Sequence, residues 1–427
     1  MKLDTVAINI EGGLECAMPK MVHLEQRFRS DKVDNITETL HASMAQFDGA
    51  DFKGKKIAVT AGSRGITGIQ ETLKATIAKL KEWGAEPFIV PAMGSHGGAT
   101  AAGQRKVLEE YDITEETMGV PIKASMEVIE ITKLEDGTPV YFDKMASEAD
   151  GIVVCARVKP HTDFRGDYES GLFKMMAIGL GKQHGAMTIH KHGFCEFHWL
   201  IPAMGHAMMD KMPIVMGVAI VENGYHNVMA VEAIKPADFD AREKFLLQES
   251  KDALAKLLME EIDVLIVDEI GKNISGAGMD PNVTGIGTAK FVDFGGPKLQ
   301  KLFVRDLTDE SNGNACGVGF ADLIPMRMAN KIDFGYTYTN SITSTELLPS
   351  RLPIVLNNDK DCLSVALMCC NKVAPADAKI VRIKNTNELT HIWVSEAVLE
   401  DLKGRDDVAV LGDPVDIKFD ADGYMVD

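Results

Sequence analysis

Short apolar runs alternate along the first part of the chain with stretches of helical period. Ile57-Ala58-Val59-Thr60 is β-prone. Behind it Ile66, Ile69, Leu73, Ile77 and Leu80 recur on one helical face, and Gly84 is placed to end that helix. Phe88-Ile89-Val90, Ile152-Val153-Val154-Cys155 and Ile214-Val215-Met216-Gly217-Val218 repeat the strand signal. Strands that are apolar along their whole length and separated by helices are covered on both faces, the pattern of a largely parallel sheet. An amphipathic helix is expected near 237–259, with Leu247, Leu254, Leu257 and Leu258 on one side. Val264-Leu265-Ile266-Val267 then begins a second α/β unit, and residues 379–396 read as two strands around Asn385-Thr386-Asn387. At 427 residues the chain is too long for one ordinary core. We therefore expect two α/β domains with largely parallel sheets, 1–260 and 261–427, and an active site in the cleft between them.

Composition narrows the function more than the fold. With 45 basic and 63 acidic side chains the formal charge is −18, which disfavours nucleic-acid and anionic-membrane partners. No apolar stretch approaches the length of a transmembrane helix. The opening MKLDTVAINIEGG lacks the basic start and apolar run of a secretory signal. Seven scattered cysteines without a Cys-x-x-Cys pair fit a reduced protein, so a cytoplasmic location is expected. Adjacent Cys369 and Cys370 are read as core, and the methionines at 204, 208, 209, 212 and 216 as adaptable packing.

In open parallel sheets, ligands bind beyond the carboxyl ends of the strands. Four polar, glycine-rich segments fall in that position: Ala61-Gly62-Ser63-Arg64-Gly65, Gly94-Ser95-His96-Gly97-Gly98, Lys159-Pro160-His161-Thr162 and Gly271-Lys272-Asn273. Each carries a histidine or a cation, and together they mark a site on one expected sheet edge. TAGSRGITG resembles the glycine-rich turn of short-chain dehydrogenases. However, Ala61 and Thr67 stand where glycine is needed, Val90-Pro91 replaces the ribose-binding acid, and no Tyr-x-x-x-Lys occurs. A tight turn, an anion site and a dinucleotide site all stay open for that loop. Six of the eleven histidines lie between 161 and 206 without the spacing of compact zinc motifs. His23, His41, His192, His198, His206, His226 and His391 are read as structural or surface residues.

The segment KPHTDFRGDYESGLFKMMAIGLGKQHGAMTIH carries a more specific pattern. His161, the turn Ser170-Gly171, Lys174 and, sixteen positions later, His190 follow the order of the cofactor-binding region of the nickel-pincer lactate racemase family. The upstream AGSRG and MGSHGG resemble that family's arginine and Gly-x-His motifs, so the resemblance spans about residues 55–195 and continues more weakly through Lys272. It implies that Lys174 holds a nickel-pincer nucleotide covalently, next to Ser170 and Gly171. It further implies that His190 ligates the nickel, that His96 and His161 form the acid–base pair, and that Arg64 and Lys272 contact substrate. Partners would be a small 2-hydroxy acid and the proteins that make and insert the cofactor; the oligomeric state is left open. Ala61, Gly97, Leu172 and Phe173 depart from the family pattern, and about three residues are inserted after His161. Because the substrate-side loops are among the altered positions, the expected activity is racemisation or epimerisation of a 2-hydroxy acid other than lactate. An NAD(P)-dependent oxidoreductase and a non-catalytic relative that binds the cofactor or a small anion are the alternatives.

Overall fold

The computed structural model describes residues 5–63, 65–288 and 292–426. The chain forms two compact units, Arg29–Leu254 and Met1–Phe28 with Ala255–Asp427. Strand β1 (Met21–Gln26) is part of the second. The chain then leaves it to build the first.

In that first unit, β2 (Lys56–Ala61), β3 (Glu86–Pro91), β6 (Gly151–Arg157), β7 (Ile214–Glu222) and β8 (Val228–Ile234) form a five-stranded sheet in the order β3-β2-β6-β7-β8. All neighbours are parallel except β8, which turns back antiparallel on β7. A hairpin of β4 (Val128–Lys133) and β5 (Pro139–Asp143) stands apart from it. Alternate residues supply two cores, as a pleated strand requires. Ile152 and Val154 join the cluster with Leu172, Phe173, Leu200 and Met204. Val153 and Cys155 join that with Leu73, Ile77 and Leu80 on helix α1 (Ile69–Glu82). Burying each of those three α1 side chains contributes about 1.5–3 kcal/mol. Five further helical pieces matter below: α2 (Ala101–Glu109), α3 (Leu172–Lys174), α4 (Lys182–Lys191), α5 (Phe197–Lys211) and α6 (Phe239–Ala253).

The second unit has an eight-stranded mixed sheet. Strands β9 (Glu261–Val267), β10 (Lys298–Val304), β11 (Leu323–Pro325), β12 (Ile354–Leu356) and β13 (Ile380–Ile383) are parallel, in the order β12-β11-β10-β9-β13. Strands β14 (His391–Ser395), β1 and β15 (Val408–Val410) extend it antiparallel. Among the described residues no helix is long and apolar enough to cross a membrane.

Four expectations change. Residues 1–28 join the second unit because β1 pairs with β14, Met21 opposite Ser395 and Glu25 opposite His391, a placement that a single division at 260 does not include. The helix expected over 237–259 ends at Ala253, where Leu254 turns to an extended backbone; Leu257 and Leu258 pack into the second unit's core instead. Gly271-Lys272-Asn273 follows β9, so it leaves a different sheet from the other three loops. Cys369 is exposed and Cys370 half-buried rather than core, since both follow the end of a helix at Met368.

Candidate active site

Because β3, β2 and β6 are adjacent and parallel, the loops after Ala61, Pro91 and Arg157 leave one sheet edge. Arg64 lies outside the described residues. Its neighbour Ser63 hydrogen-bonds through its hydroxyl to Nδ1 of His96, joining the first loop to the second. The second loop is fastened from below. Gly94 donates its N–H to the Gly179 carbonyl at 3.4 Å, and the buried Gln104 of α2 donates to the carbonyls of Gly94 and His96 at 2.9 and 3.4 Å. Gly97 has φ +65, and a Cβ there would lie 2.5 Å from the Gln104 nitrogen and the Gly103 carbonyl carbon. Close packing on α2 therefore excludes any side chain with relaxed geometry at this position.

The third loop is closed by paired backbone bonds between Lys159 and Ser170, at 3.0 and 3.1 Å. Within it His161 is only 9% exposed. Its N–H donates to Glu169 Oε2 at 2.7 Å, and Glu169, buried itself, is held by Lys251 at 2.7 Å and Arg165 at 3.2 Å. The Asp163 N–H donates to His161 Nδ1 at 3.0 Å while the Asp163 carboxylate stands 3.6 Å from the same nitrogen. The N–H suits a neutral ring protonated on Nε2, and the carboxylate suits a ring protonated on Nδ1. Either leaves Nε2 to exchange a proton with a ligand.

Lys174 and His190 stand on one interrupted helical run. Sixteen residues of straight α-helix would separate them by about 24 Å. Instead, a π-helical turn (Met175–Leu180) follows Lys174, and Lys182 takes a left-handed backbone, φ +53. The run is thus bent, and the charge of Lys174 reaches His190. Burial first, and then that lysine, hold the His190 imidazole below the usual histidine pKa, against an opposite pull from Asp163. A neutral imidazole is the form that ligates a metal. Phe194 lies 5.4 Å from the His190 ring and 6.3 Å from that of His161, and Phe197 packs beside Phe194, 5.2 Å from the His190 ring.

Lys174 itself is held from both ends of its turn. Its Nζ donates to Ser170 Oγ at 3.5 Å. The N–H groups of Leu172 and Phe173 donate to Glu243 Oε2 of α6 at 2.8 and 3.2 Å. A Cβ at position 171 would meet Glu243 Oε1 at 2.2 Å, so Gly171 is required for the cap to seat. Burial pushes the Glu243 carboxyl up to about 8, with the two N–H bonds pulling down and Asp240 pushing up.

The structure thus brings His161, Lys174 and His190 together and sets Ser63 and His96 on the same edge. It does not bring Lys272 into that unit. There, after β9, the Lys272 ammonium donates to the Gly276 carbonyl at 2.6 Å and its N–H to Ser311 Oγ at 3.0 Å. Among the described residues no three His, Cys, Asp or Glu side chains are placed to hold a metal ion. The donor set offered here is one neutral imidazole beside a lysine amine, which fits a metal whose other ligands arrive with a tethered cofactor. Sequence reasoning missed Glu243 and Asp163. Glu243 did leave a signal, as a carboxyl on the stripe of Leu246, Leu247 and Ser250 that α6 buries.

The chain is, then, a two-unit α/β protein with a histidine- and lysine-bearing sheet edge. Residues 21–198 match the family model described as the lactate racemase N-terminal domain. The lactate racemase apoprotein from Thermoanaerobacterium thermosaccharolyticum is similar in fold, with 13% identity over 86% of this chain and 99% of that one and a TM-score of 0.56. A structural-genomics protein from Thermotoga maritima is similar as well, with 13% identity over 84% and 99% and a TM-score of 0.52. A search of curated proteins gives no match. The matched stretch, residues 21–198, is thus similar to the lactate racemase N-terminal domain, and the fold of the chain is similar to that of the racemase apoprotein.

Proposed function

We propose that the protein is a nickel-pincer-nucleotide-dependent racemase or epimerase of a 2-hydroxy acid other than lactate. The observation that carries this reading is the bend that brings Lys174 within electrostatic reach of a half-buried His190 held toward its neutral form, beside His161. Lys174 would hold the nucleotide, in the turn shaped by Ser170 and Gly171, and His190 would ligate the nickel. When bound, the group supplies an electron-poor acceptor for hydride, which no side chain provides.

The chain's own residues would do the rest. With Asp163's carboxylate accepting from Nδ1, His161 presents a basic Nε2 to a substrate hydroxyl, and with Asp163's N–H donating to Nδ1 it presents Nε2–H. His96 is paired with a hydroxyl that can either donate or accept, so Ser63 permits both tautomers there. One ring, in its basic form, would take the hydroxyl proton of one enantiomer, and the other, in its N–H form, would return a proton to the oxygen of the product. Arg64 is proposed to bind the carboxylate.

The test is intact mass and nickel content after co-expression with the cofactor's biosynthetic proteins, followed by chiral analysis of a panel of 2-hydroxy acids. A nucleotide-sized adduct with stoichiometric nickel, absent from Lys174→Ala, and interconversion of one acid are expected. Unmodified, nickel-free protein under conditions that load another family member would overturn the reading.

A further inference from the structure

Lys182 is fully buried and sits eight residues from Lys174 and eight from His190. Its backbone is left-handed, a conformation that glycine or asparagine adopts more readily. A glycine would suit the bend better and an apolar side chain would suit the interior better, so the ammonium is what the position requires. That ammonium lies 2.8 Å from Asp143 Oδ2 on a carboxylate as buried as itself, and 3.3 Å from Gln104 Oε1, and it donates to the Pro91 carbonyl. Two of these contacts are hydrogen bonds, to Pro91 and Gln104, and the third is an ion pair with the carboxylate. Pro91 is the last residue of β3, directly before the His96 loop, and Gln104 is the side chain whose amide grips the carbonyls of Gly94 and His96. The other carboxylate oxygen of Asp143 caps the short helix after β5, accepting from the Ala146 N–H at 2.8 Å.

We propose that Lys182 is the positioning residue of the site: its backbone turns α4 back so that His190 meets Lys174, and its side chain latches that bend to the loop of His96. The role assigned to these neighbours rests on the function proposed above, but the geometry does not. Replacing the ammonium would leave the bend without its fastening and the Gln104 amide without its partner, so Lys174, His190 and His96 would lose their common register.

The test reads that register in the protein without cofactor. In a His190→Cys background a short amine–thiol cross-linker is applied, and the cross-link between Lys174 and the introduced thiol is quantified by peptide mass spectrometry. Lys182→Met is expected to lower the yield about fivefold or more while thermal unfolding stays cooperative. In the native-histidine background the same change should slow adduct formation at Lys174 by about tenfold. Because a lone buried Asp143 could prevent folding, Asp143→Asn with Lys182→Met carries the test if the single variant is unfolded. A folded variant whose cross-link yield stays within about twofold of the parent would overturn the proposal. So would failure of both variants to fold, which would make Lys182 a determinant of the fold alone. If the parent never acquires an adduct but the cross-link still depends on Lys182, the racemase reading falls and the positioning role stands.

Discussion

Glu243 shows how one side chain can set a pH limit on a site it does not touch chemically. Its folded-state pKa, about 8, lies above the ordinary carboxylate value because burial disfavours the charge. A group raised in this way gives stability that is present below its unfolded pKa and lost as pH climbs toward 8. Glu243→Gln keeps an oxygen for the Leu172 and Phe173 N–H groups without a charge. We expect this variant to flatten the decline in melting temperature between about pH 5 and 9, whereas Glu243→Ala lowers stability at every pH by about 1–3 kcal/mol, the penalty of unpaired buried donors. Thermal unfolding across that range checks both, and a parallel decline in parent and Gln variant would contradict the assignment. Part of this neighbourhood was legible from sequence. The order His161, Ser170-Gly171, Lys174 and His190 is local, and strand-to-loop order places His161 and His96 on one edge. Glu243 left only its place on a buried helical stripe, and Asp143 left no mark, because the partners of both lie far away in sequence and only tertiary packing selects them.

At the scale of elements, the π-helical turn carries information that hydrophobic periodicity does not. A π turn amounts to one extra residue in an α-helix, and it shifts the phase of everything after it. Removing one residue between Met175 and Leu180 should restore the α-helical phase and rotate α4 by about 100° relative to Lys174. In the His190→Cys background, we expect the shortened chain to keep its helical circular dichroism and lose the cross-link from Lys174 to the introduced thiol. Retention of that cross-link would show that the bend alone sets the register. The strands were the more readable elements. Ile57, Val59, Val153 and Val264 fall where apolar runs announced them, because strands covered on both faces have no polar positions to confuse the pattern. The end of α6 was not readable, since Leu254, Leu257 and Leu258 keep the helical spacing while the backbone has already left it.

At the scale of the molecule, the unit Arg29–Leu254 has both faces of its sheet covered by its own residues. Arg29 at its start is ion-paired with Glu249 near its end, 2.9 Å apart, so its two ends lie close together. We expect the excised 29–254 segment to unfold in one cooperative transition and, with His190→Cys, to give the same cross-link as the whole chain. A molten or aggregated fragment would show that its stability depends on the remaining residues. The two-domain character was legible from length and from the renewed strand signal near 264. That β1 belongs to the later unit was not, because a single short strand carries no mark of a partner more than three hundred residues away.

That last pairing bears on how the protein is born. While the chain emerges from the ribosome, β1 appears almost at once, yet its neighbour β14 follows only after about 370 further residues, roughly 20–70 s at ordinary rates of synthesis. During that interval the whole of 29–254 can fold, site included, while β1 waits as an unpaired edge. A nascent chain stalled before residue 391 would therefore carry a finished sheet edge with Lys174 and His190 in place, attached to a second unit that cannot yet close its own.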